Sequence, residues 1–264
     1  MSALPQSGET GPDDWKAMDD FAAGIDGNRL PTTDALAGST LAFTDSDGES
    51  VLAFDGADAV RWSEGGVERD AWYEAVALRP GLYFLTLRAP SEPLRADVLV
   101  AETGTGRTLR IRSDIAPAPT PGRPRVGQRF LPGTIGRAVA RGEAPAPTRD
   151  LVGLRALYRY SPNHLYEHVY LSSERYAWQC LVGEQRGHGD VDLASTWRVA
   201  EGLYVFTFRE FIIPVAATWL YDLDAGRTVG TFVGIGRDGE VRIAPGGALI
   251  TQLGRVEYPD EQPV

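Results

Sequence analysis

Apolar and polar residues alternate at period two through two long stretches of this chain, about 38–112 and 151–253. Helical spacing shows only near the start. In the first stretch the runs STLAFT, ESVLAF, AVRWSE, DAWYEAVAL, GLYFLTLR, LRADVLVAE and RTLRIR have strand composition. Turn signals separate them at Asp47-Gly48, Gly65-Gly66 and Gly104-Thr105-Gly106. Short strands joined by close turns predict an antiparallel sheet closed into a barrel. The second stretch reads the same way. Ahead of both, residues 1–11 are rich in Gly, Pro and Ser and predict a disordered start. Trp15, Met18, Phe21 and Ala22 then recur at helical spacing, with Asp13 and Asp14 where a helix start favours negative charge and Gly24 able to end it. One short amphipathic helix is predicted, lying on the open end or outer wall of the sheet that follows. Residues 116–149, with APAPTPGRPR and EAPAPTR, read as a Pro/Gly-rich connector whose middle (Phe130, Leu131, Ile135) packs against a domain.

The two strand stretches are copies of one unit. GLYFLTLR from Gly81 and GLYVFTFR from Gly202 share Gly, Leu, Tyr, Thr and Arg in register, 121 residues apart. Pro93 and Pro214 keep that offset, and Gly106-Arg107-Thr108 matches Gly226-Arg227-Thr228 after a slip of one. The strand is apolar on both faces in each copy (Tyr204, Phe206 and Phe208 against Leu203 and Val205), so each sheet is covered on both sides. The predicted organisation is a tail and helix over 1–37, a barrel over 38–115, the connector over 116–149 and a second barrel over 150–264. The fold class is all-β: two antiparallel barrels from an internal repeat, with one short N-terminal helix.

The copies differ in what they place inside. In the second, Tyr166, His168 and Tyr170 share one strand face, and Tyr176, Trp178 and Cys180 share the next. Trp219 and Tyr221 stand where the 121-residue offset gives Val98 and Val100 in the first copy, which also lacks counterparts of His168, Tyr170, Trp178 and Cys180. Only the second barrel is therefore expected to hold a usable cavity, with Tyr166, Tyr176, Trp178, Cys180, Trp219 and Tyr221 as ligand-binding wall.

His168 is the acid/base candidate, with Tyr170 on its face to orient it or the substrate; the plainer account is a buried histidine satisfied by a tyrosine. Cys180 becomes a nucleophile only if His168 lowers its pKa, and a small core residue is the commoner role. Arg209 and Glu210 end their strand on opposite faces. Arg209 is a candidate to clamp a carboxylate or polarise a carbonyl inside the barrel, although its twin Arg88 favours a structural ion pair. Glu210 is the other catalytic candidate, Glu167 points away from His168, and Asp190 and Asp192 read as a solvated loop, with capping or gating of the barrel mouth as the alternative.

Composition narrows the partners. A formal net charge of -10 disfavours nucleic acid and anionic membrane surfaces. No apolar run approaches a membrane span and the first residues lack the apolar core of a signal peptide, so a cytoplasmic protein is expected. One cysteine and three histidines leave no expectation of a disulfide or a metal site, and Lys16, the sole lysine, leaves Schiff-base chemistry without a candidate. No cofactor is expected, and oligomeric state is not legible.

The residues Asp150-Leu151-Val152-Gly153, Tyr158, Tyr160-Ser161, the run from Tyr166 to Leu171, Arg175-Tyr176, Trp178 to Leu181, Gly189-Asp190, and Gly202 to Tyr204 through Arg209-Glu210 to Pro214 are similar to the MoaF family. That family is named for molybdenum cofactor biosynthesis protein F, and its members pair an N-terminal with a C-terminal MoaF domain. The first copy resembles the N-terminal domain with weaker motifs. The resemblance implies a pair of calycin-like (lipocalin-like) barrels, and it carries an association with monoamine-responsive gene clusters. GIGRDG from Gly234 reads as a hairpin turn rather than a phosphate cradle, since no helix follows it.

Two functions follow as expectations. One is a cofactor-independent enzyme using the second barrel for acid/base chemistry (isomerisation, cyclisation, hydration or dehydration, or decarboxylation) on a small aromatic or polyketide-like molecule. The other is a lipocalin-like carrier or sensor of a small hydrophobic, aromatic or monoamine-like ligand.

Overall fold

The computed structural model describes residues 17–136 and 139–264. The expected disordered start, and Asp13, Asp14 and Trp15 of the expected helix, lie outside these residues. The first barrel is an eight-strand antiparallel meander: β1 (Thr40–Asp45), β2 (Gly48–Phe54), β3 (Ala59–Glu64), β4 (Val67–Arg79), β5 (Leu82–Arg88), β6 (Arg95–Glu102), β7 (Arg107–Ile115) and β8 (Val126–Ile135). β1 pairs with β8 at Phe43↔Ile135 and Thr44↔Thr134, which closes it. The strand β8 occupies the middle of the segment expected to be connector. Its pattern is masked by Gly127, Pro132 and Gly133. Gly133 is required at the seam, because a Cβ there would run into the Thr44 carbonyl oxygen.

The second barrel follows a two-residue strand, β9 (Ala146–Pro147), that pairs with β13. Its staves are β10 (Leu154–Ser161), β11 (His164–Tyr170), β12 (Arg175–Val182), β13 (Gly189–Ala200), β14 (Leu203–Arg209), β15 (Val215–Asp222), β16 (Arg227–Ile235) and β17 (Val241–Arg255). The pairings β10–β17 and β12–β13 close it. GIGRDG is the β16–β17 hairpin turn, where the Gly236 amide donates to the Glu240 carbonyl at 2.8 Å.

The repeat is structural. β5 and β14 are each the fifth stave of their barrel, and Tyr83 and Tyr204 hold the same place in them, paired with Ala101 of β6 and Tyr221 of β15. The one-residue slip falls before β6 and β15, earlier than the expected alignment assumed. Trp219 and Tyr221 thus correspond to Leu99 and Ala101 on the inner face. Val98 and Val100 face outward and join Leu109, Ile111, Leu203, Val205, Leu220 and Val229 in an apolar layer between the barrels. Phe130 stacks on Trp197 across this junction (5.2 Å, 16°), and Arg79 donates two hydrogen bonds to the Asp222 carboxylate at 2.5 and 2.6 Å.

The two interiors are filled differently. In the first barrel Phe43, Leu52, Trp62, Tyr73, Leu85, Leu87 and Leu99 form the core. One end carries Arg95, Arg110 and Arg112 paired with Asp45, Glu64 and Asp97. Arg110, Asp45 and Asp97 have no exposed side-chain surface. In the second barrel Gly230 and Phe232 lie 120 residues on from Arg110 and Arg112, and the interior is aromatic instead. The helix α1 is short, Met18–Phe21, and it does not lie on the first sheet as expected. Met18, Phe21 and Ile25 are buried in the core of the second barrel. Among the described residues no helix is long and apolar enough to cross a membrane.

Candidate functional site

A pocket at one end of the second barrel is lined by Tyr160, Tyr166, His168, Tyr176, Trp178, Gln185, Phe208, Glu210 and Phe232, with Phe21 and Ile25 of the N-terminal segment as its remaining wall. Its free volume is about 30 Å³, room for one or two waters. The usable cavity expected here is thus nearly filled as it stands. Larger hollows, about 650 Å³ and 420 Å³, lie on the first barrel's rim around Glu92, and they are open surface rather than enclosed space.

Strand alternation delivers His168 inward on β11 and Glu167 outward, where Arg155 and Gln179 bond its carboxylate. The His168 ring stacks on Tyr158 at 4.2 Å and 28° and meets Tyr176 edge-on at 5.1 Å. Its Nδ1 is buried without a hydrogen-bond partner. Burial pulls its pKa down to about 3, so the imidazole is neutral at physiological pH.

Tyr170 does not orient His168 by a hydrogen bond. Its hydroxyl joins those of Tyr158 at 2.6 Å and Tyr221 at 3.0 Å, which makes a buried tyrosine triad behind the cavity wall. That triad fixes the Tyr158 ring on which His168 rests.

Glu210 follows β14 at the turn into β15, its amide donating to the Val215 carbonyl at 3.1 Å. Its side chain is buried on the cavity wall without a salt bridge among the described residues. Burial first, and then the charges of Asp192 and Asp190, raise its pKa well above the usual carboxylate range. A carboxyl held neutral in this way is a hydrogen-bond donor.

Asp192 overturns the solvated-loop expectation. It lies within β13, fully buried, where its Oδ2 accepts the Trp178 indole N–H at 2.9 Å and its Oδ1 has no partner. Burial raises its pKa, against the Trp178 hydrogen bond. The alternating VDLASTW pattern was the available sign of a strand through Asp192. The same signal places Phe208 and Phe232 on inner faces. Nothing local points to Phe21 or Ile25.

Arg209 is not inside the barrel. Its guanidinium donates to Ser195 Oγ at 3.2 Å and to Gln128 Oε1 of β8 at 3.4 Å, so it faces the first barrel. Burial and the neighbouring Arg175 pull its pKa down to about 10. Cys180 is buried beside Tyr166, whose hydroxyl donates to Gln185 Oε1 at 2.9 Å. Burial pushes the thiol up, away from the thiolate that a nucleophile needs. Trp219 and Tyr221 are buried in the barrel but behind the cavity: Trp219 leans over Gly230 against Tyr160 and Phe232, and Tyr221 stacks on Phe206. Of the ten expected site residues the cavity wall therefore brings together Tyr166, His168, Tyr176, Trp178 and Glu210. Among the described residues no group of three or more His, Cys, Asp or Glu side chains is placed to hold a metal ion.

The MoaF N-terminal domain model matches residues 13–117 and the MoaF C-terminal domain model matches 145–256. Protein MoaF of Klebsiella aerogenes is 35% identical over 222 residues, which cover 79% of this chain and 82% of that protein. A solved structure, "a putative beta-lactamase from Burkholderia vietnamiensis", is 12% identical and aligns over 39% of this chain and 95% of its own, with a TM-score of 0.34; likeness at that level carries no argument. With both domain models matched in order and a relative similar along most of its length, this chain belongs to the MoaF family.

Proposed function

We propose that the second barrel is a cofactor-independent enzyme that moves a proton on a small aromatic or polyketide-like carbonyl compound. One observation supports this reading above the others: a neutral imidazole with an unpartnered Nδ1 and a buried neutral carboxyl share one aromatic wall. In such a site the Glu210 O–H donates to the substrate carbonyl oxygen. His168 takes a proton from the adjacent carbon, leaving an enol-type intermediate held by Glu210. Return of that proton to a different carbon completes an isomerisation, and loss of a β-hydroxyl as water completes a dehydration. A buried imidazole is a weak base, so the carboxyl's hydrogen bond to the developing oxyanion must supply part of the driving force. Tyr158, fixed by Tyr170 and Tyr221, keeps the His168 ring in place, while Tyr166, Tyr176 and Trp178 form the substrate wall.

The test is turnover of the molecule that the purified protein retains. His168→Ala and Glu210→Gln should each lower kcat by about 10² to 10⁴-fold, the usual contribution of a general acid or base. Cys180→Ser should stay within about an order of magnitude of the parent. An inactive Cys180→Ser beside an active His168→Ala would mean thiol chemistry and would end this account.

A second reading is a carrier or sensor of a hydrophobic or monoamine-like ligand. The aromatic wall beside Glu210 supports it, because ring faces attract an organic cation without needing an ionised carboxylate. Saturable binding without turnover would favour this reading over the enzyme.

A further inference from the structure

The N-terminal strap, residues 18–28, packs on the second barrel before the chain enters the first, and it forms one wall of the second barrel's pocket. Phe21 sits edge-on to Phe232 at 5.3 Å, and Ile25 reaches the wall beside Gly246 and Trp219. Both line the same space as His168, Glu210 and Trp178. The strap has no strand ladder. It is held by backbone hydrogen bonds from Asn28 N to the Tyr160 carbonyl (2.7 Å) and from Gly247 N to the Ile25 carbonyl (3.2 Å). The Asn28 amide side chain adds a bond to the Arg159 carbonyl, and at the other end the Asp19 and Asp20 carboxylates bond exposed Arg237. Segments with few backbone bonds open at lower free-energy cost than barrel strands do. Gly24 and Gly27 let the strap lie flat, since a Cβ at either would come within 2.8 Å of the His164 ring and 2.9 Å of Ser161 Cβ respectively.

A cavity of about 30 Å³ is too small for any aromatic ligand while the strap is seated. A dry cavity on the order of 150 Å³ is enough to hold benzene, and withdrawing a phenyl side chain opens space of that order. We propose that Phe21 is an internal stand-in for the ligand: the strap swings out, and a planar single-ring molecule with one polar substituent takes the place of the Phe21 ring against Phe232, its polar group toward His168 Nδ1 and Glu210. This inference rests on the reading that the second barrel takes small aromatic molecules. It adds the size of the ring and the segment that competes with it.

Phenol is the probe, titrated calorimetrically into the whole protein, with amide hydrogen exchange followed at Asn28 and Gly247. Phe21→Ala removes the competing ring. Gly27→Val pushes the strap off Ser161 and the Tyr160 carbonyl while leaving the identity of every side chain that lines the pocket unchanged. Both should bind phenol at least tenfold more tightly than the parent, and phenol should speed exchange at both amides in the parent protein. Phenol that saturates the parent without faster exchange overturns the displacement while leaving the aromatic-ligand reading in place. Equal or weaker phenol binding by both variants likewise overturns it. If neither variant binds phenol at all, the aromatic-ligand reading fails as well. The exchange measurement needs no variant, so a poorly folding Phe21→Ala does not shelter the proposal.

Discussion

Two carboxyls and an imidazole lie together inside the second barrel, and burial holds each toward its neutral form. This has a pH signature at the residue scale. Asp192 has a raised pKa when folded, so the stability it contributes is present below the ordinary carboxylate pKa of about 4 and is lost as pH rises through the folded value. Asp192→Asn should therefore gain on the parent between pH 5 and pH 8, by on the order of 1 to 2 kcal/mol. Urea denaturation at the two pH values reads this directly, and a difference that does not change with pH would count against the buried carboxyl. His168 acts in the opposite sense. Its folded pKa of about 3 lies below its free value, so the stability it contributes is lost as pH falls toward 3. The inward face of His168, Tyr166, Tyr176 and Trp178 was legible from period two alone, because a strand leaves no choice of side once the core face is known. Arg209 was misplaced for a related reason: alternation puts Arg209 and Glu210 on opposite faces but does not say which face is inside. The answer depends on the sister barrel that Arg209 meets through Gln128.

Among the elements, β16 shows how a single missing side chain makes room for the aromatic interior. A Cβ at Gly230 would run into the Trp219 ring and the Thr218 carbonyl of β15, and Trp219 is fully buried. Gly230→Ala should lower stability by about 2 to 3 kcal/mol, in the range of overpacked cores, while Gly254→Ala, with nothing within 4 Å, should stay within about 0.5 kcal/mol of the parent. Denaturation midpoints separate the two. The strand β8 escaped the sequence reading because Pro132 and two glycines removed its alternation. The repeat held the missing signal, since the segment 120 residues further on was itself read as strand. The strap could not be placed from its own pattern, because an amphipathic helix reports that it has an apolar face and not which barrel covers it.

At the scale of the whole molecule the two barrels share an apolar layer and the Arg79–Asp222 pair, so they should unfold together. Removing the buried guanidinium with Arg110→Met leaves the buried Asp45 carboxylate without its cation, while Asp97 keeps Arg95, and should cost about 3 to 5 kcal/mol. Calorimetry should show one transition moved to lower temperature, and two separate transitions would contradict the shared core. The first barrel carries ion pairs at one end of an apolar core and the second is filled by rings, and under the proposed function the first copy is the scaffold and the second carries the chemistry. The most direct test of that division is mass-spectrometric identification of the small molecule retained by the freshly purified protein, repeated on Trp178→Ala and on Arg69→Met at the first barrel's rim. The account predicts a small aromatic molecule, at up to one per chain, depleted at least tenfold in Trp178→Ala and unchanged in Arg69→Met. A molecule retained fully by Trp178→Ala and lost from Arg69→Met would contradict it.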